Sequence, residues 1–121
     1  MKVMLVDDSN TMRRIQRNLM EQAGISDIQE AIDGKDALDK LSENMFDLIL
    51  LDVNMPNMDG FTFLKTVRGM DKFKNVKIVM CTSESEKDKI MDAIKSGANN
   101  YIVKPFTPEV LHAKLKELKM A

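Results

Sequence analysis

Short apolar runs alternate with stretches of helical period along the whole chain, and this alternation restricts the fold more than any other feature. "VMLV" (Val3–Val6), "DIQEA", "DLILLD", "VKIVMC" (Val76–Cys81) and "NYIVK" read as five strands. Between the first two, Met12, Ile15, Leu19 and Ala23 keep a helical period, with Ser9 or Asn10 placed to cap the start and Gly24 to end it. The next helices present Leu38, Leu41 and Met45, then Phe61, Leu64 and Val67. A fourth begins near Ser83, which has Glu86 in capping-box spacing, and closes at Gly97. Thr107-Pro108 opens the last helix, with Leu111, Leu115 and Leu118 facing inward. Strands alternating with helices imply an α/β protein whose parallel sheet is covered on both faces. Right-handed crossovers make the doubly wound order 2-1-3-4-5 the default topology.

A length of 121 residues corresponds to one domain, so residues 1–121 are expected to form a single unit without an effector domain. With 18 basic against 19 acidic residues, the overall field gives no reason to expect nucleic acid or membrane. The lone Cys81 suits a reducing compartment. No apolar run resembles a signal or a bilayer span, and a cytoplasmic location is expected. The 11 methionines invite comparison with soft copper ligation. Met12, Met20 and Met91 fall in amphipathic patterns, and Met55 and Met58 sit among hard oxygen ligands, so core filling is the better reading. His112 has no partner His or Cys for a metal and reads as a surface residue.

Doubly wound sheets bind ligands outside the carboxyl ends of their strands. Asp7 and Asp8 follow the first strand, Asp52 the third, Thr82 and Ser83 the fourth, and Lys104 the fifth. Taken singly, Asp7 and Asp8 are helix-start acids, Thr82 a turn residue and Lys104 a solvated lysine. Their convergence on one sheet edge carries a different meaning. Close carboxylates repel and call for a cation, and hard oxygen donors suit Mg²⁺. A carboxylate can also be a nucleophile that forms an aspartyl phosphate, with a metal and preplaced donors neutralising the phosphoryl oxygens. Asp52 ends the most apolar strand and is the expected nucleophile, with Asp7 and Asp8 as metal ligands and Thr82 and Lys104 as donors.

"LVDDS", "LLDVNMPNMDG", "CTSES" and "NYIVKPFT" resemble, in order and spacing, the four signatures of two-component response-regulator receiver domains, and "SNTMRR" is similar to the single-domain chemotaxis members. The resemblance implies a flavodoxin-like fold and phosphorylation of Asp52 by a histidine kinase. It also implies Mg²⁺ held by Asp7, Asp8, Asp52 and the backbone carbonyl of Asn54, a cis Lys104–Pro105 bond, and Tyr101 as an aromatic switch. Lys87, Ile90, Tyr101, Val103 and Lys114 resemble the face that chemotaxis members turn to a downstream protein, which points to a flagellar motor switch as partner. Ser83 stands where the family usually has Ala or Gly, and Val53 where some chemotaxis members carry a bulkier residue, departures that bear on rates.

The expected product is a monomeric, phosphorylation-activated switch in chemotaxis and flagellar rotation. It would promote its own phosphorylation and dephosphorylation without being a conventional enzyme. A phosphorelay shuttle passing the phosphoryl group to another histidine protein is the alternative. An aspartyl phosphatase or phosphotransferase is disfavoured because "DVN" lacks the second carboxylate of a DxD site. Flavin binding is disfavoured by the absence of a phosphate loop after the first strand.

Overall fold

The computed structural model describes residues 1–83, 88–104 and 106–120. Glu86 of the expected capping box, the partner-face residue Lys87 and Pro105 lie outside the described residues. In chain order the elements are β1 (Lys2–Val6), α1 (Asn10–Gln22), β2 (Asp27–Ala31), α2 (Gly34–Glu43) and β3 (Leu48–Asp52). They continue with α3 (Gly60–Arg68), a 3-10 turn (Asp71–Phe73), β4 (Lys77–Thr82), α4 (Ile90–Lys95), β5 (Asn100–Val103) and α5 (Pro108–Glu117). All strand pairs are parallel and the sheet order is β2-β1-β3-β4-β5, the doubly wound arrangement expected from the sequence.

The strands form because alternate residues feed two cores. Met4, Val6, Ile49, Leu51, Ile78 and Met80 pack on one face of the sheet with Leu41, Phe63, Leu64 and Ala93 from α2, α3 and α4. Val3, Leu5, Leu48, Leu50, Val79 and Cys81 pack on the other with Met20, Leu111 and Leu115 from α1 and α5. All of β3 is buried, as expected of a central parallel strand covered on both faces. The starts of α1, α2, α3 and α5 are each held by a local side chain: Ser9, Asp33, Asp59 and Thr107 accept from the backbone N–H of Met12, Asp36, Thr62 and Val110. Gly24 closes the turn after α1 at φ 87°, a conformation a β-carbon would strain.

Several expected inward faces are corrected. The buried residues of α1 are Arg13, Gln16 and Met20, whereas Ile15 is 45% exposed and Ala23 is also exposed. The apolar stripe read from periodicity lies on the flank of the helix, and the polar Arg13 and Gln16 share the inward face with Met20. Met45 falls beyond the end of α2 and is exposed, while Ala37 and Leu41 point inward. Phe63 is fully buried in α3 and Phe61 only partly so. Met4, Met20 and Met80 do fill core positions, but Met91 is 65% exposed on the outer side of α4. His112 is exposed, as expected. Among the described residues no helix is long and apolar enough to cross a membrane.

Between α1 and β2, Glu30 accepts from Arg13 Nε and Arg17 Nε, each at 2.9 Å. Burial alone would raise the Glu30 carboxyl, but the two guanidiniums outweigh it and hold the group below the usual range. Its folded pKa is thus depressed. The stability it contributes is present above the ordinary value of about 4.3 and is lost as the pH falls through the folded value. After screening at this half-exposed site, Glu30→Gln is expected to cost about 1 kcal/mol at pH 7. Urea unfolding of both proteins should show that difference shrinking as the pH drops below about 4. A difference independent of pH would contradict the ion-pair assignment.

Candidate functional site

The carboxyl ends of β1, β3, β4 and β5 bring together the residues expected there. Asp7 is buried just past β1; its N–H donates to the Ala31 carbonyl at 3.1 Å and its Oδ1 accepts from the Ser9 N–H at 2.9 Å. Asp8 follows it into solvent. Asp52 is the last residue of β3, paired in register with Cys81. The Lys104 N–H donates to the Thr82 carbonyl at 2.7 Å, which holds the exit of β5 beside the end of β4. From there Lys104 Nζ reaches Asp52 Oδ1 at 2.8 Å and Asp7 Oδ2 at 3.6 Å. Thr82 is fully buried, and its hydroxyl donates to the Ser83 carbonyl at 3.2 Å.

The loop after β3 is tied down at two points. The Gly60 N–H donates to the Val53 carbonyl at 3.0 Å, and a β-carbon at Gly60 would lie 2.3 Å from the Asp52 carbonyl oxygen. Asn57 adopts φ 66°, and its side-chain Nδ2 donates to Asp33 Oδ2 at 2.7 Å. The Asp36 N–H and Asn57 bonds hold the Asp33 carboxyl below the usual carboxylate range. The loop therefore passes over the start of α2 with Asn54 exposed beside the strand end.

One ammonium meets two of the three clustered carboxylates here, Asp52 and Asp7. Burial raises the Asp52 carboxyl above its ordinary value, and the negative charges of Asp7 and Asp8 act in the same direction against the Lys104 bond. Burial would lower the Lys104 ammonium, but its bond to Asp52 and the charges of Asp52 and Asp7 outweigh that and raise it, so it stays charged at neutral pH. Burial pushes the Cys81 thiol far up, which removes it as a nucleophile.

The donor set fits a hard divalent cation. Oxygens of Asp7, Asp8 and Asp52 lie within 4.8 Å of one another, and Asp7 Oδ2 is buried without a hydrogen-bond partner. All three ligands offered are carboxylate oxygens, the type Mg²⁺ takes, with no imidazole or thiolate among them. Asp8→Ala should weaken Mg²⁺ binding by at least about tenfold, since even outer-shell losses cost that much. A Mg²⁺ titration unchanged in Asp8→Ala would remove that residue from the site.

The residues expected on a partner face are divided. Tyr101 is half-buried against the core, with Lys114 Nζ 4.4 Å from its ring centroid and 3.3 Å from Asn100 Oδ1. Val103 is half-buried at the end of β5. Ile90 is corrected: at 5% exposed it packs inward from the first turn of α4, because the helix turns Ile90 and Ala93 to the sheet. The exposed apolar side chains of α4 are Met91, which the amphipathic pattern assigns to the core, and Ile94, which it does not single out. Sequence reasoning also passed over Arg13, Asp33 and Asn57. A charged residue at the inward spacing of α1 and an Asp-Gly pair closing β2 were the signals available.

Comparison with known proteins follows the same lines. The response regulator receiver domain family matches residues 3–116. The chain is 47% identical over 117 residues to the chemotaxis protein CheY1 of Helicobacter pylori, covering 96% of this chain and 94% of that protein. It is 42% identical over 118 residues to the chemotaxis protein CheY of Pseudomonas aeruginosa, covering 98% and 95%. The solved structure of the chemotaxis response regulator CheY4 of Vibrio cholerae matches with a TM-score of 0.87 at 39% identity over 97% of each chain.

Proposed function

The chain belongs to the response regulator receiver domain family, with chemotaxis proteins of the CheY type among its relatives, and from that premise we propose that Asp52 accepts a phosphoryl group from a histidine kinase and switches affinity for a protein partner. The observation that carries this reading is the Lys104 ammonium held 2.8 Å from the Asp52 carboxylate at the edge of a three-carboxylate cluster. On this reading the chain is a phosphoacceptor rather than a conventional enzyme. It acts as one receiver domain over residues 1–121, as a monomer in the cytoplasm, with a flagellar motor switch as the proposed downstream partner.

In the proposed transfer a carboxylate oxygen of Asp52 attacks the phosphorus of a phosphohistidine. The P–N bond breaks as the O–P bond forms, and the imidazole leaves with its electron pair and takes up a proton. Burial keeps Asp52 more basic than a solvated carboxylate and therefore a better nucleophile at neutral pH. Lys104 moves from its bond with Asp52 onto a phosphoryl oxygen, and the Thr82 hydroxyl turns from the Ser83 carbonyl to donate to another. A Mg²⁺ ion held by Asp7, Asp8, Asp52 and the Asn54 carbonyl would supply neutralising charge for the same oxygens.

The output runs through β4 and β5. Thr82 pairs in register with Val103 and Met80 with Tyr101, so movement of Thr82 toward the phosphoryl group bears on the strand that carries Tyr101. Tyr101, Val103 and Lys114 then form the responsive surface, and Lys87 is proposed to contribute to partner binding. A phosphoryl mimic should raise partner affinity, and couplings of this kind are typically about 5–150-fold. Tyr101→Ala should lose most of that gain while Asp52 is still labelled. Equal gains in both proteins would rule out Tyr101 as the relay, and lost labelling would assign it to the site itself.

A further inference from the structure

Arg13 is a buried cation in the first turn of α1, a place where the helix dipole disfavours positive charge. A buried guanidinium there must be explained by what it binds. Its nitrogens reach β2, the turn after β1 and the start of its own helix: Nε donates to Glu30 on β2 at 2.9 Å, Nη1 donates to the backbone carbonyl of Asp7, and Nη2 donates to the Asn10 side chain. Arg17, one turn on, shares the Glu30 carboxylate at 2.9 Å but sends its other bond to the Ile28 carbonyl, away from the site. The two arginines thus divide the work. Both join α1 to β2, and Arg13 alone among them grips the segment that carries Asp7 and Asp8.

We infer that Arg13 is a positioning residue for the cation site, acting through the Asp7–Asp8 peptide. The peptide unit is planar, so fixing the Asp7 carbonyl also fixes the Asp8 N–H and the direction in which the chain leaves toward Asp8. Asp8 is exposed, and its carboxylate is placed by that backbone. On the other side of Asp7, the Ala31 carbonyl and the Ser9 N–H hold its amide and Oδ1. Arg13 supplies the restraint on the Asp7 carbonyl, and its three separate nitrogens can meet three spaced acceptors where the donors of an ammonium all share one nitrogen.

This inference rests on the cation reading of the site, and one experiment separates the two. The amide shifts of Asp8 and Ser9 are followed by NMR during MgCl₂ titration of the wild type, Arg13→Ala, Arg13→Lys and Arg17→Ala, with thermal melting of each. The wild type should bind. Arg13→Ala should bind about tenfold more weakly, the usual cost of losing an outer-shell support. Arg13→Lys keeps a charge for Glu30, should fold even where the alanine variant does not, and should still lose affinity. Arg17→Ala should lose stability yet keep wild-type affinity. Wild-type affinity in Arg13→Lys or Arg13→Ala, or an equal loss in Arg17→Ala, overturns the positioning role while leaving the site intact. Absence of wild-type binding overturns the cation reading and the inference with it.

Discussion

Gly60→Ala is expected to destabilise the protein by about 3 kcal/mol or more, the upper range for forced overpacking. In an ordinary helix the same change would gain about 1 kcal/mol from propensity. Here the added β-carbon would meet the Asp52 carbonyl oxygen at 2.3 Å and the Val53 Cα at 3.1 Å. Both belong to the backbone of the strand end, which cannot swing aside as a long side chain can. Relief requires moving either the start of α3 or the strand that positions Asp52, and it strains the Gly60 N–H bond to the Val53 carbonyl. Against a total stability of about 5–15 kcal/mol this is a large fraction. Urea unfolding measures it directly, and wild-type stability of the variant would show that the close approach is absent.

Asp52→Asn should reduce phosphoryl labelling by a small-molecule phosphodonor to background and, in the same protein, raise the melting temperature. The amide has the carboxylate's shape without its nucleophilic charge. The stability effect follows from the carboxylate cluster. The folded pKa of Asp52 is raised by burial and by its acidic neighbours, so its contribution is favourable below the ordinary carboxylate value of about 3.9. That contribution is lost as the pH rises through the folded value, and at pH 7 the ionised wild type bears the cost. Without Mg²⁺, a gain of roughly a few degrees in melting temperature is expected. Mg²⁺ should narrow the gap by stabilising the wild type. Undiminished labelling would sink the nucleophile assignment, and a lower melting temperature would mean the Lys104 bond outweighs the repulsion.

The alternation of buried runs with helical periods was enough to read the strand order, because a parallel strand covered on both faces has few other ways to look. It was also enough to place Asp7, Asp8, Asp52, Thr82 and Lys104 at one edge, since the carboxyl ends of parallel strands share that edge. Side-chain direction was harder. Arg13 occupies an inward position of α1 because its guanidinium bonds to Glu30, the Asp7 carbonyl and Asn10, and a hydrophobic pattern cannot register a buried guanidinium. Ile90 turned out to be core because the start of α4 lies over the sheet, a matter of helix phase that a residue or two can reverse. The Asn57–Asp33 contact joins residues 24 apart and depends on a left-handed backbone that Asn tolerates, so only the folded chain displays it.

The central claim is that Asp52, and no other group, receives the phosphoryl group. An acyl phosphate can be trapped by borohydride, which reduces the modified aspartate to homoserine and leaves other carboxylates untouched. The wild-type protein is labelled with a small-molecule phosphodonor in the presence of Mg²⁺, reduced, digested and sequenced by mass spectrometry. The account predicts homoserine at position 52 alone, in amounts that follow the labelling. Homoserine at Asp7 or Asp8, or a phosphoryl group recovered on His112 or a hydroxyl with none at Asp52, would contradict it.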